Sequence, residues 1–207
     1  MSAVDALDFA SVLVFALTGA LAASRAQLDI IGFAFVACLT AVGGGTVRDV
    51  LLDRNPVFWI GEPWFIAIAA AAAVLVFFTA HLMESRYNWL LWLDSFALAV
   101  AVPAGVSLAM ETGQSGPVIL IMGMVTGCLG GLMRDVVCNE VPLVLKQGEL
   151  YASAAFAGAG AALAASAIGF APALALLACA AVTWALRAGS LQFGWRLPVY
   201  RARPPRR

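Results

Sequence analysis

The chain has 207 residues, 63% of them hydrophobic and only 12% charged, with twelve basic and twelve acidic side chains and no net charge. A soluble domain of this size carries about 25% charged residues, so the polar groups here are too few to cover a water-facing shell. Lipid is the solvent that suits such a chain, whose mean hydropathy is +0.94, and the balanced charge argues against a nucleic-acid partner.

Seven apolar segments approach the roughly 20 residues needed to cross about 30 Å of hydrocarbon. The first lies near 8–24; Asp5 and Asp8 precede it where a secretory leader needs a basic region, so it is read as a retained helix. The second, near 28–52, contains Gly43, Gly44 and Gly45, and the third, near 63–82, ends at the polar patch His81, Glu84 and Arg86. A fourth is expected near 89–110, a fifth near 116–138 with Gly130 and Gly131, a sixth near 149–169 and a seventh near 172–189. Trp59, Trp64, Trp89 and Trp92 fall at span ends, as an interfacial aromatic belt requires. Arg25, Arg86, Lys146 and a tail that includes Arg187, Arg196, Arg201, Arg203, Arg206 and Arg207 would share one side, against Arg54 on the other. The positive-inside bias then places the N-terminus outside and the C-terminus in the cytoplasm, as an odd number of spans demands.

Gly44-Gly45-Thr46-Val47-Arg48-Asp49-Val50 recurs as Gly130-Gly131-Leu132-Met133-Arg134-Asp135-Val136, an offset of 86 residues. The same offset pairs Asp8 with Asp94, Gly19 with Gly105 and Pro56 with Pro142. Each unit holds three spans, so the second copy must insert upside down relative to the first. The expected architecture is therefore all-α and membrane-embedded: two inverted three-helix repeats, 1–87 and 88–170, a seventh helix at 171–190 and a basic tail at 191–207.

Arginine and aspartate inside a span are costly and need a cavity or a partner. The glycines before them can break or bend the helix beside a water-lined pathway; the alternative is close helix packing with a structural ion pair. Arg48 stands roughly 30 Å along its helix at about 1.5 Å per residue, near one mouth, and Arg134 by inversion near the other. Two ion pairs that could gate the mouths, Asp8–Arg48 and Asp94–Arg134, are expected; Asp8 also reads as a helix N-cap. Phe15, Phe33, Phe35, Phe77 and Phe78 are read as constriction or lipid-facing residues, Glu111 and Glu149 as solvated, and Cys38, Cys128, Cys138 and Cys179 as packing residues without CxxC spacing. No nucleotide-binding loop or intramembrane protease motif occurs, so an enzyme is not expected.

The paired GG-x-x-RD motifs, each followed by a proline, resemble the trimeric intracellular cation (TRIC) channels, and more closely their prokaryotic relatives, the glycine-transporter domain family; the resemblance covers roughly 5–190. It implies a homotrimer in the cell membrane with one pathway per protomer for monovalent cations, K⁺ above Na⁺, no cofactor, and lipid as the other partner. It also implies kinks at Gly44-Gly45 and Gly130-Gly131, with Arg48 and Arg134 in gating or pairing and Asp49 and Asp135 meeting the ion. Arg134 sits closest to the basic residue that binds a phosphoinositide in animal members, but Leu132, Met133 and Asp135 do not reproduce that motif. A secondary transporter for glycine or another small zwitterion would use the same inverted geometry.

Overall fold

The computed structural model describes residues 3–83 and 85–200, without the side chains of Ala3 and Val4; Glu84 and the tail arginines Arg201, Arg203, Arg206 and Arg207 lie outside the described residues. Among the described residues the elements are α1 (Ala3–Arg25), α2 (Ile30–Leu51), a short α3 (Phe58–Gly61), α4 (Trp64–Thr79), α5 (Arg86–Glu111), α6 (Gly116–Val137), α7 (Ala152–Ala167) and α8 (Pro172–Phe193). Six of these, with α4 counted to Leu82, are long and apolar enough to cross a membrane, and α7 is a shorter apolar helix. The protein is thus an all-α, multi-pass membrane protein of seven membrane helices.

Local chemistry sets the ends. Asp29 caps α2, accepting the Gly32 amide at 2.8 Å, and Pro117 and Pro172 lie in the first turns of α6 and α8, where a missing N–H costs nothing. Gly194 closes α8 with φ of 68°, a left-handed conformation that glycine adopts without Cβ strain. α7 is shorter than the 149–169 expected because Gly148, at φ 81°, and Tyr151 still belong to the preceding turn. α8 runs beyond the expected end at 189 and carries Arg187 within it, so this residue is not part of a tail. Asp8 lies five residues inside α1, which removes the N-cap reading.

The repeat is visible in the backbone. After α2, Leu52 N–H reaches Arg48 O, Asp53 N–H reaches Val50 O and Arg54 N–H reaches Asp49 O; after α6, Cys138, Asn139 and Glu140 make the same bonds to Arg134, Val136 and Asp135. Asp53 and Asn139, 86 residues apart, both take positive φ. α1 packs on α5 and α2 on α6, while α1–α2 and α1–α4 contacts are matched by α5–α6 and α5–α7. α8 lies outside this symmetry, against α5 and α7.

α2 and α6 meet at their glycines. A β-carbon on Gly44 would overlap the Thr126 carbonyl oxygen, and one on Gly130 would overlap that of Thr40. The contact runs 44 to 126 and 40 to 130, rising on one helix as it falls on the other, so the two equivalent helices are antiparallel and the repeats are inverted. Both helices continue without interruption through these glycines. No helix break frees backbone carbonyls there; the glycines provide close approach, as small residues do between membrane helices.

Candidate functional site: two buried arginine clusters and a central cleft

Arg48 lies in the last turn of α2 at 0% exposure. Its Nη1 and Nη2 donate to Asp8 Oδ1 and Oδ2 at 2.7 and 3.0 Å, and its Nε donates to Asp49 Oδ1 at 2.8 Å. Asp49 Oδ2 accepts the Phe58 amide at 2.8 Å, so the adjacent carboxylate also fixes the first turn of α3. Arg54 leans over the pair, its Nη1 3.7 Å from Asp8 Oδ2 and 3.8 Å from Asp49 Oδ2. Every oxygen of this cluster has a donor, which offsets the penalty of taking the charges out of water.

The second repeat builds the same core. Arg134, also at 0% exposure, donates from Nη1 to Asp94 Oδ1 at 2.7 Å and from Nε to Asp135 Oδ1 at 2.7 Å. Asp135 Oδ2 accepts the Leu143 amide at 2.8 Å. Both pairings expected from the repeat are therefore present. Arg48 sits four residues past the Gly44 crossing and Arg134 four past Gly130 in the opposite direction, about 18 Å apart along the helices at 1.5 Å per residue.

Three differences separate the clusters. Asp94 Oδ2 and Arg134 Nη2 are buried without a hydrogen-bond partner, whereas their equivalents on Asp8 and Arg48 are bonded to each other. The position of Arg54 is taken by Glu140, which turns to Arg25 at 3.0 Å. Phe65, edge-on to Phe58 with ring centroids 4.9 Å apart, is replaced by Tyr151. Tyr151 in turn lies under Arg187, 4.9 Å from guanidinium carbon to ring centroid, and Arg187 Nη1 donates to Glu149 at 2.8 Å. Glu149 is thus an ion-pair partner and not simply solvated. Arg187 was missed in the sequence because it stands near a chain end among other arginines; its position inside an apolar run was the available signal.

Cavities adjoin the first cluster. One of about 260 Å³ is lined by Asp5, Asp8, Arg54, Phe58, Glu62 and Phe65 among others. A second shares Asp8 and Phe58 and runs past Ser11, Phe15, Thr40, Gly44, Gly45, Ala101 and Thr126; it is so narrow that about 10 Å³ is open, room for one water. Thr40 with Thr126, and Phe15 with Ala101, are each related by the 86-residue offset, so this cleft straddles the pseudo-two-fold axis. Of the five phenylalanines considered, Phe15 reaches the cleft, Phe33 packs edge-on against Phe77, and Phe35 and Phe78 are exposed. Among the described residues no group of three or more His, Cys, Asp or Glu side chains is arranged to hold a metal ion.

Comparison with known proteins agrees with this geometry. The family model described as glycine transporter matches the chain twice, over 5–81 and 91–167, starts that are again 86 residues apart. A UPF0126 membrane protein of Vibrio cholerae is 36% identical over 201 residues, covering 94% of this chain and 81% of that one. The inner membrane protein YadS of Escherichia coli is 38% identical over 154 residues, 73% of each. Among solved structures, the TRIC trimeric intracellular cation channel orthologue from Rhodobacter sphaeroides is 40% identical, with TM-score 0.90 over 94% of this chain and all of that one. Another TRIC cation channel superposes with TM-score 0.86 at 27% identity over 99% of the chain.

Proposed function

The chain belongs to the glycine transporter family, and from that premise, with TRIC cation channels as its structural relatives, we propose that it is a monovalent-cation channel. Each protomer of a homotrimer carries its own pathway at the interface of the two repeats, K⁺ is the preferred ion, and the N-terminus faces outward with the C-terminus in the cytoplasm. The observation that carries this reading is the cleft that Thr40 and Thr126, one from each repeat, both line beside the Gly44 crossing. Each hydroxyl donates to the carbonyl four residues back, Thr40 to Val36 and Thr126 to Met122, which leaves its oxygen lone pairs for a cation. Asp5, Asp8 and Glu62 against Arg54 make the outer cavity net acidic and raise the local cation concentration. The Asp8–Arg48 and Asp94–Arg134 pairs are the gates at the two mouths.

A second reading, uptake of glycine or a similar zwitterion, is favoured by the description of the family model. Against it, the cleft has room for about one water and both arginines already hold carboxylates of the chain, so a bound amino acid would have to displace Asp8 or Asp94. Flux into liposomes holding purified protein separates the two. A channel gives a K⁺ current that collapses with the gradient and falls in Thr40→Val and Thr126→Val; silence in K⁺ with saturable, concentrative glycine uptake replaces it with the transporter.

A further inference from the structure

The seventh helix stands outside the repeat, yet it buries a full charge. Arg187 has 0% exposure, one carboxylate bond to the partly exposed Glu149, and the ring of Tyr151 beneath it; its Nε and Nη2 are buried without partners. Burying an arginine this deep costs several kcal/mol in general, and packing α8 against α7 does not require it. The ring that it covers leads to the inner ion pair. Around Gly131, a β-carbon would lie 3.0 Å from Tyr151 Oη, 3.4 Å from Asp94 Oδ1 and 3.6 Å from Arg134 Nη2. Tyr151 Oη, Arg134 Nη2 and Asp94 Oδ2 are each buried and unpartnered here, and they are complementary: a donor, an acceptor and a hydroxyl that serves as either. At the outer pair the equivalent of Tyr151 is Phe65, Asp8 is held through both oxygens, and α8 has no equivalent.

We propose that Tyr151 and Arg187 are positioning residues for the inner gate, with Arg187 on α8 holding the Tyr151 ring so that its hydroxyl bonds Asp94 or Arg134 once that pair rearranges. This rests on the reading of Asp94–Arg134 as a gate. The hydroxyl stands beside Asp94 without a well-formed bond here, and a full bond in the rearranged pair favours opening. The inner pair, with hydrogen-bonding capacity unspent on both partners, is the one that moves; Asp8 and Arg48 bond each other through both carboxylate oxygens.

Single-channel recording on purified wild type, Tyr151→Phe, Arg187→Lys and the double variant tests this. Tyr151→Phe is expected to lower open probability about two- to tenfold, the range one hydrogen bond present in only one state produces, with unit conductance unchanged. Arg187→Lys is expected to lower it too, and to add nothing in the Tyr151→Phe background, because it acts through the hydroxyl; an arginine with a merely structural role would act equally in both backgrounds. Glu149→Gln takes the place of Arg187→Lys if that variant does not assemble. Unchanged open probability in Tyr151→Phe, or additive effects in the double variant, overturns the proposal while leaving the channel reading intact. A wild type without cation current overturns both.

Discussion

Gly44 and Thr126 touch with no space for a side chain between them: the Thr126 carbonyl oxygen occupies the place where a β-carbon on Gly44 would lie, and Gly130 stands in the same relation to Thr40. Backbone is the obstacle, so no rotamer change relieves the overlap. Gly44→Ala and Gly130→Ala are each expected to force α2 and α6 apart and to lower the thermal midpoint of the detergent-solubilised protein. Their near-equal effect is the sharper expectation, since the pseudo-two-fold makes the sites equivalent. A midpoint unchanged by either would mean that the crossing is looser than it looks.

The clusters predict an order among arginine substitutions. Arg134→Leu leaves Asp94 and Asp135 buried with no cation in contact, an effect on the scale of about 3–5 kcal/mol for a broken buried pair. Arg48→Leu leaves Asp8 and Asp49 in the same position, except that Arg54 is already 3.7 and 3.8 Å away. Arg134→Leu is therefore expected to be the more damaging, and the gap to close in an Arg48→Leu/Arg54→Gln double variant. Thermal unfolding of the three variants decides it; a reversed order refutes the argument.

Phe15 lines the central cleft, and its equivalent across the axis is only Ala101. Phe15→Ala is expected to increase unit conductance while costing about 3–5 kcal/mol of stability through the cavity it leaves. Conductance at the wild-type value would remove Phe15 from the pathway.

Cys138, just past the end of α6, is half-buried, and burial pushes its thiol above the usual cysteine range, with Arg134 opposing. Less thiolate is present near pH 7, so a membrane-impermeant maleimide is expected to label it more slowly than a free cysteine and to gain as pH rises past that range. In oriented vesicles, labelling from the cytoplasmic side alone agrees with the proposed orientation, and labelling from outside reverses it.

The repeat was legible because its marks are chemical and rare in a membrane chain: Arg48 and Arg134, Asp8 and Asp94, and the glycine pairs at one fixed offset. Antiparallel helices then brought Asp8 to Arg48 and Asp94 to Arg134 without further information. Helix continuity was not legible, because glycine lowers both the cost of a bend and the cost of a close approach, and the sequence does not say which is used. Arg187 with Tyr151 and Glu149 was missed for another reason. The counterparts of Glu149 and Tyr151 at the 86-residue offset are Pro63 and Phe65, and Arg187 lies outside the repeats, so the symmetry that revealed the rest was silent about them.

The crossing of α2 and α6 is also a fulcrum. At Gly44 and Gly130 main chain meets main chain with no side chain between, and the rigid α-helical ladders extend from these two contacts in both directions. Arg48 and Arg134 ride on opposite arms, each six residues or about 9 Å from the centre of the crossing at 1.5 Å per residue. A tilt of one helix on the other at this crossing would be carried to both ion pairs at once.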